Sequence, residues 1–177
     1  MLPFALPMEF IGTRLIRRVK ELPSNPKVVE HEVEKMVDQA EKSGLLGRGP
    51  GEIIRNVLEF ADQTAREVMV PRSKVEAIEI GMSPEQVLRQ VTESGHSRYP
   101  VYKDQIDNIV GLLHAKDLFK RVEAYRARSV TLKDILRPAN FVAQSQALAS
   151  LLRVMRRKRQ HMAIVVDELG ALAGIVT

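Results

Sequence analysis

The sequence has no cysteine among its 177 residues, and this absence excludes disulfide bonds, thiolate zinc sites and cysteine nucleophiles. Tryptophan is also absent and aromatic residues make up only 5% of the chain, so a hydrophobic core has to be built from aliphatic side chains and methionine. Pro3, Pro7, Glu9, Gly12 and Arg14 interrupt the apolar N-terminus. The N-terminus therefore lacks the run of about 20 apolar residues that crosses a bilayer, and it also lacks the pattern of a secretory signal.

Acidic residues are fewer than basic residues. Lys and Arg number 27 against 22 Asp and Glu, which gives a net charge of +5. This excess favours an anionic partner, whether a nucleotide phosphate, an acidic lipid headgroup or a nucleic acid, and the sign alone does not choose among them. Hydrophobic residues make up 45% of the chain, which excludes a largely disordered protein.

The N-terminal part predicts a linker followed by helices. In residues 1–28 an apolar stretch precedes a basic cluster (Arg14, Arg17, Arg18, Lys20), which is typical of a segment at a membrane edge, and a frayed tail is the alternative. Apolar residues at helical spacing then predict one or two helices within residues 29–62. Gly47–Gly51 is expected to be a connecting loop, because it lacks the Gly-Lys-Ser/Thr ending of a phosphate loop.

The remaining sequence contains an internal repeat. It consists of three aligned pairs of segments: Glu67–Pro71 with Asp134–Pro138, Tyr99–Asp104 with Met162–Asp167, and Gly111–His114 with Gly174–Thr177. We call Glu67–Pro71 and Asp134–Pro138 the lead-in segments. The two copies occupy residues 63–128 and 129–177, and the second is expected to be incomplete.

Each copy predicts the same order of elements. A strand (Val75–Ile80 or Phe141–Ala143) is followed by an amphipathic helix, and two further strands are joined by a polar turn at Asp104 or Asp167. Ser83 and Gln86 form the pattern of a capping box, with Pro84 at the first helical position. Two such β-α-β units predict an α/β (α+β) domain with a quasi-twofold axis and a cleft between the copies.

These residues resemble the CorC/hemolysin-like proteins, which are related to the CNNM transporters of animals. The resemblance rests on Val57–Arg72 (VLEFADQTAREVMVPR), Gly95–Tyr102 (GHSRYPVY), Gly111–Leu118 (GLLHAKDL), Arg159–Glu168 (RQHMAIVVDE) and Gly174–Thr177 (GIVT). It implies tandem CBS motifs (β-α-β-β-α) that form a CBS pair, also called a Bateman module. It also implies that the chain stops within the second motif, before a closing helix, so Ile164, Val166 and Ile175 are expected to expose apolar surface.

The resemblance further implies a regulatory function. The family is implicated in magnesium and cobalt transport, a transmembrane domain precedes the CBS pair, and the pair binds ATP with Mg²⁺. We therefore expect an adenine-nucleotide sensor on the cytoplasmic side of the cell membrane that forms a CBS-pair homodimer and contacts the transmembrane domain of the same parent protein. The alternatives are a module that binds AMP or another adenosyl ligand, and a purely structural dimerisation domain.

Two other classes are not expected. No catalytic motif occurs in the sequence, so the chain is expected not to be an enzyme. A nucleic-acid partner is not expected either, because the sequence lacks an aromatic stacking platform and any known nucleic-acid-binding motif.

The resemblance also implies where the ligand binds. CBS motifs carry a Gly-x-x-Ser/Thr-x-x-Asp fingerprint, in which the glycine admits the ligand, the hydroxyl binds phosphate and the aspartate binds ribose. The first copy has His114 at the hydroxyl position and keeps Asp117, whereas the second copy has Thr177. The Thr177 side is therefore expected to hold ATP. The candidate nucleotide-binding residues are Thr177, Arg72, Arg98, Tyr99, Pro100, Phe141, Val142 and Asp117.

Several of these residues have simpler interpretations. Asp117 could cap the helix that follows it, and Arg98 and Tyr99 could be ordinary strand-edge residues. The basic run near Arg156 could complement a helix dipole or contact acidic lipid. No protein ligand for a metal is expected, because Mg²⁺ would be held by the nucleotide phosphates.

Overall fold

The structure is a computed structural model that describes residues 26–177, with side chains from residue 29 onward. The predicted membrane-edge segment therefore lies outside the described residues. The chain forms two compact units that divide between Glu59 and Phe60.

Two helices account for the described part of the first unit. Helix α1 spans Pro26–Lys42 and helix α2 spans Arg48–Asp62, with the left-handed Gly44 (φ 72°) between them. The prediction of a loop over Gly47–Gly51 is wrong from Arg48 onward. Pro50 lies in the first turn of α2, where a missing backbone N–H breaks no helical hydrogen bond. The α1–α2 pair is held by Arg55, which donates to Asp38 at 3.1 Å and to Glu41 at 2.9 Å.

The second unit contains the internal repeat. Its helices are α3 (Ala65–Val68), α4 (Pro84–Ser94), α5 (Ala115–Lys120), α6 (Val122–Arg126) and α7 (Leu148–Lys158). Its strands are β1 (Val70–Pro71), β2 (Ile78–Glu79), β3 (Arg98–Lys103), β4 (Gln105–His114), β5 (Phe141–Ala143), β6 (Ala163–Val166) and β7 (Leu172–Val176). Short 3₁₀ turns span Arg72–Lys74 and Leu132–Ile135.

Local signals predicted several of these elements. Helix α4 begins with the expected capping box, in which the Ser83 side chain accepts from the Gln86 backbone at 3.3 Å and Gln86 Oε1 accepts from the Ser83 backbone at 2.9 Å. Asp104 turns β3 into β4 with a left-handed φ of 63°, and β5 has the predicted bounds. The predicted strand Val75–Ile80 is shorter than expected, because only Ile78 and Glu79 pair with β3.

The strands form two sheets, one for each copy of the repeat. The first has the order β2-β3-β4, and the second has the order β1-β7-β6-β5. In both sheets the strand before the long helix is parallel to its neighbour, and the last two strands form an antiparallel hairpin. The mixed α/β architecture that the repeat predicts is thus confirmed.

The two copies exchange their lead-in segments. Strand β1, which belongs to the first lead-in segment, pairs with β7 of the second copy, with Val70 opposite Ile175. In return, Arg137 of the second lead-in segment bridges to Leu112 in β4 of the first copy through hydrogen bonds of 2.8 and 2.9 Å. Each sheet is therefore completed by backbone from the other copy.

The aligned glycines Gly111 and Gly174 make this exchange sterically possible. A Cβ atom on Gly111 would lie 3.0 Å from the carbonyl oxygen of Arg137, and one on Gly174 would overlap the carbonyl oxygen of Val70. The prediction that these glycines admit a ligand needs correction, because the backbone of the other copy occupies the space beside them.

Three hydrophobic clusters form the core. One lies under α4 in the first copy and includes Tyr99, and a second lies under α7 in the second copy. The third joins the two sheets and contains Leu112, Met162, Ile164, Leu172 and Ile175. The expectation that Ile164, Val166 and Ile175 expose apolar surface is therefore wrong, since Ile164 and Ile175 belong to this cluster and the partly buried Val166 packs against it.

Candidate functional site: the cleft between the two copies

A cleft lies where the end of β4 meets the second copy, and we call it the His114 cleft. Its volume is about 330 Å³, close to the lower limit for small-molecule sites. It is lined by Leu112 and His114 from the first copy and by Arg137, Pro138, Lys158, Arg159, Gln160, His161 and Met162 from the second. These lining residues include several cations and no carboxylate.

His114 occupies the position that a hydroxyl has in the family fingerprint. Desolvation lowers the pKa of its imidazole below the ordinary value, and the charges of Arg137 and Arg98 add to this effect. Asp117 acts in the opposite direction, and Lys116 adds a weaker lowering contribution. At neutral pH, His114 is therefore an uncharged imidazole among fixed cations.

Asp117 forms an ion pair with Arg137 instead of capping a helix. Its Oδ2 accepts from Arg137 Nε at 2.8 Å and from Nη2 at 2.6 Å. Desolvation opposes the charged form of Asp117, but the hydrogen bond and the charge of Arg137 hold its pKa below the ordinary value. Asp117 lies in the first turn of α5, yet its described partner is the lead-in segment of the other copy.

Thr177 follows directly after β7 and is exposed. It lines a larger cavity of about 690 Å³, whose walls are mainly apolar and include Phe60, Leu148 and Leu152. Arg156 and Arg159 contribute positive charge to the same cavity. The internal repeat aligns Thr177 with His114, so the two residues lie at equivalent strand ends, one in each copy.

The structure does not bring Arg72 to Thr177. Arg72 donates to the carbonyl oxygen of Leu172 at 3.4 Å, at the start of β7, whereas Thr177 follows the end of that strand. Five residues of extended strand separate these positions, which is roughly 17 Å. Arg72 is also held by both carboxylate oxygens of Asp107, with Nη2 to Oδ2 at 2.8 Å.

Tyr99 and Pro100 are core residues in this structure. Tyr99 is fully buried, and its hydroxyl lies 2.7 Å from Ser94 Oγ and donates to the Val91 carbonyl at 3.3 Å. The side chain of Tyr99 therefore has no surface to offer to a phosphate. The neighbouring Arg98 differs, because its buried Nε has no hydrogen-bond acceptor within the described part of the chain.

Phe141 and Val142 belong to β5, which lies two strands away from β7 in the second sheet. Phe141 is half exposed, whereas Val142 packs against the second hydrophobic cluster. The alternation of side chains along a strand explains this difference. Of the two, Phe141 is the one with a free surface.

Sequence reasoning did not assign four polar residues that lie at or beside this cleft. These are Arg137, Asn140, Lys158 and Gln160. The repeat could have identified Arg137, because this arginine stands in its lead-in segment at the position where the other copy has Val70. Lys158 belongs to the basic run at the end of α7. Asn140 and Gln160 depend on contacts between elements distant in the chain and had no local signal.

The comparisons with known proteins agree with this architecture. The model of the CBS domain family matches residues 65–124. The chain is 38% identical over 157 residues to a magnesium and cobalt efflux protein CorC of Pasteurella multocida, covering 89% of this chain and 50% of the relative.

Two solved structures are also similar. One is the CBS domain of a bacterial CNNM/CorC family Mg²⁺ transporter, with a TM-score of 0.76, 38% identity and coverage of 84% of this chain and 90% of that one. Another is described as the CBS domain of the bacterial CNNM/CorC family Mg²⁺ transporter in complex with ATP. It has a TM-score of 0.68 and 40% identity, and the match covers 73% of this chain and 91% of that one.

The fold is thus a CBS pair. The chain belongs to the CNNM/CorC family of magnesium transporters, in which it matches the CBS region. It spans only about a third to half of the length of the curated relatives that it matches.

Two features are absent from the described residues: a membrane-spanning helix and a cluster of metal ligands. None of the helices within residues 26–177 is both long and apolar enough to cross a membrane. In the same part of the chain, no group of three or more His, Asp or Glu side chains is placed to hold a metal ion.

Proposed function

We propose that this chain is the adenine-nucleotide sensor of a magnesium or cobalt transporter and that it binds ATP with Mg²⁺ in the cleft between the two CBS motifs. The observation that carries the proposal is the exchange of lead-in segments, which creates two equivalent strand ends that face the other copy. The similarity to a CBS domain solved in complex with ATP supports the choice of ligand.

We place the nucleotide at the Thr177 end of the cleft. The repeat aligns Thr177 with His114 and Pro71 with Pro138, and it aligns Arg98 with His161. His114, Pro138 and His161 together line the His114 cleft. By the symmetry of the repeat we propose an equivalent nucleotide position at Thr177, Pro71 and Arg98.

The chemistry of these groups suits a nucleotide. The Thr177 hydroxyl can donate to a phosphate oxygen, and the unpaired Arg98 Nε lacks the acceptor that a phosphate supplies. Phe141 offers its exposed ring to the base. Mg²⁺ would be coordinated mainly by the phosphates, because it keeps much of its hydration and needs few protein ligands.

A ligand can regulate a protein only if its affinity differs between two arrangements of that protein. We propose that ATP with Mg²⁺ favours one arrangement of a CBS-pair homodimer on the cytoplasmic side of the membrane. The transmembrane domain of the parent protein would respond to that arrangement.

Titration calorimetry of the 177-residue chain with ATP, with and without Mg²⁺, tests the proposal. We expect saturable binding that Mg²⁺ strengthens, and a loss of roughly tenfold in affinity for Thr177→Val, because the variant removes one hydrogen bond to a charged group. Thr92→Val removes a threonine hydroxyl from the exposed surface of α4 and serves as the matched control.

Competition between ATP and AMP distinguishes the alternative ligands. If AMP displaces ATP at equal or lower concentration, the ligand is an adenosine compound other than ATP. If millimolar ATP gives no heat and Arg98→Ala changes only stability, the domain is structural and the proposal fails.

A further inference from the structure

Helix α7 carries a positively charged outer face to which the proposed nucleotide site gives no role. The inner face of the helix is apolar, because Leu148, Leu151 and Met155 are buried in the second hydrophobic cluster. The outer face and the C-cap of the helix carry four exposed arginines. We call them the α7 basic patch: Arg153, Arg156, Arg157 and Arg159.

No carboxylate neutralises the α7 basic patch within residues 29–177, because none of its four arginines forms an ion pair there. The pattern differs from that of Arg55, Arg72 and Arg137, each of which is held by an aspartate. Arg153 and Arg157 are spaced by four residues, so their like charges also repel each other along the helix. Such a concentration of unpaired charge attracts an anionic partner.

The helix dipole explains only part of this charge. Cations in the last turn of a helix are favourable, and the last turn of α7 contains Arg156, Arg157 and Lys158. The effect falls off within that turn, so it gives no reason for Arg153, which lies one turn earlier. The dipole also gives no reason for so many cations, since their mutual repulsion opposes each addition.

An exposed apolar side chain lies beside these cations. Leu152 is 45% exposed, although it belongs to a helix whose other leucines are buried. It precedes Arg156 by four residues, so the two side chains share one side of α7. The boundary of an acidic bilayer provides headgroups for cations and acyl chains for such a leucine. A nucleic acid would satisfy the arginines, but Leu152 gives its bases no aromatic surface for stacking.

From these observations we propose that the α7 basic patch docks on a bilayer surface that contains acidic phospholipids. The arginines contact the headgroup phosphates, and Leu152 lies at the boundary with the acyl chains. The choice of a bilayer rests on the proposed function, which places the chain beside a membrane. Because α7 belongs to the second copy of the repeat, docking turns that copy toward the membrane.

Vesicle co-sedimentation of the 177-residue chain tests the proposal. The chain binds vesicles made of equal parts phosphatidylglycerol and phosphatidylcholine, and it does not bind vesicles of phosphatidylcholine alone. Arg153→Gln combined with Arg157→Gln, the patch variant, weakens binding roughly tenfold or more, because each cation near an acidic surface contributes about fivefold. Added salt weakens the binding as well, since it screens exposed charges.

Two further double variants have the same net charge as the patch variant. Arg126→Gln combined with Arg128→Gln removes two exposed arginines from the first copy and is the matched control. Its vesicle binding stays within about twofold of the parent chain. Arg17→Gln combined with Arg18→Gln removes charge from the N-terminal basic cluster, which is the other candidate source of lipid binding. The patch variant binds vesicles more weakly than either of these two.

Three outcomes overturn the docking surface. The first is equal vesicle binding by the patch variant and the matched control. The second is loss of binding in the N-terminal variant alone, which assigns the lipid contact to residues 1–28. The third is retention of duplex DNA by the parent chain, but not by the patch variant, at a salt concentration where neither binds vesicles. If vesicle binding fails while ATP still gives saturable heat, the nucleotide sensor stands and only the docking surface is refuted. If vesicles bind while ATP gives no heat, the sensor fails and the surface stands.

Discussion

Individual residues in this unit are constrained more by contacts between the two copies than by their neighbours in the chain. Gly174 and Gly111 lie in strands, where glycine is intrinsically unfavourable. Both are required because the backbone of the other copy passes beside them. At this scale the packing of the two copies is the dominant effect.

Substituting Gly174 therefore tests the exchange of lead-in segments. We expect Gly174→Ala to destabilise the chain by about 1–3 kcal/mol or more, because the new Cβ overlaps the carbonyl oxygen of Val70. Gly111→Ala should cost less, since its nearest contact is 3.0 Å. Chemical denaturation followed by circular dichroism measures both, and equal costs for the two variants would contradict the described packing.

Substituting Tyr99 distinguishes a role in the hydrophobic core from a role in ligand binding. We expect Tyr99→Phe to lower stability by about 1 kcal/mol, because the buried hydroxyl loses its bonds to Ser94 and Val91. Its affinity for ATP should remain that of the parent chain. A loss of ATP affinity at unchanged stability would restore Tyr99 to the binding site.

The candidate site was less predictable from sequence than the fold. Arg98 and Tyr99 are adjacent in one motif, yet alternation along β3 buries Tyr99 fully and leaves Arg98 partly exposed. Sequence identifies such a motif but not the side on which each residue lies.

At the scale of elements, local signals determined the helices and turns. The capping box of α4 and the polar turn at Asp104 are set by residues within a few positions of each other, so the sequence predicts them. The pairing of β1 with β7 joins residues about a hundred positions apart. No local pattern specifies such a contact, and the repeat alone did not show that the lead-in segments cross over.

Asp107 connects β4 to β7 and to the turn that follows β1. Its carboxylate accepts from Arg72 and from the Leu172 backbone, the latter at 2.9 Å. The hydrogen bond from Arg72 lowers the pKa of Asp107 below its ordinary value of 3.8, and the contact with Leu172 adds to this. A lowered pKa contributes stability that is present above the ordinary value and lost as the pH falls through the lowered value.

The corresponding prediction concerns Asp107→Asn. At pH 7 the variant should unfold at a lower urea concentration than the parent chain, because the ion pair with Arg72 is lost. The difference should shrink as the pH falls below 3.8 toward the lowered pKa, where the parent carboxylate is protonated as well. Glu76→Gln, at an exposed carboxylate whose ion pair is with His96, is the control. A difference between Asp107→Asn and the parent that is constant over this range would contradict the assignment.

At the scale of the whole molecule, the two copies share one interface. The third hydrophobic cluster fills the space between the sheets, and the cleft remains at the strand ends. A ligand that contacts both copies there stabilises their joint arrangement. Binding should therefore raise the stability of the unit as a whole.

Thermal unfolding tests this linkage. At an ATP concentration about 100 times the dissociation constant, binding to the folded chain alone adds about 2.7 kcal/mol to the free energy of unfolding. We expect the melting temperature to rise with ATP and Mg²⁺ in the parent chain and to rise much less in Arg98→Ala. An equal rise in both would exclude Arg98 from the site.

We propose that a phosphorylated adenosine binds between the two CBS motifs at Thr177. A crystal structure of the chain grown with ATP and Mg²⁺ tests this placement. We expect triphosphate density within hydrogen-bond distance of the Thr177 hydroxyl and of Arg98. Density for ATP that contacts only one copy, or an unoccupied cleft at saturating ATP, would contradict it.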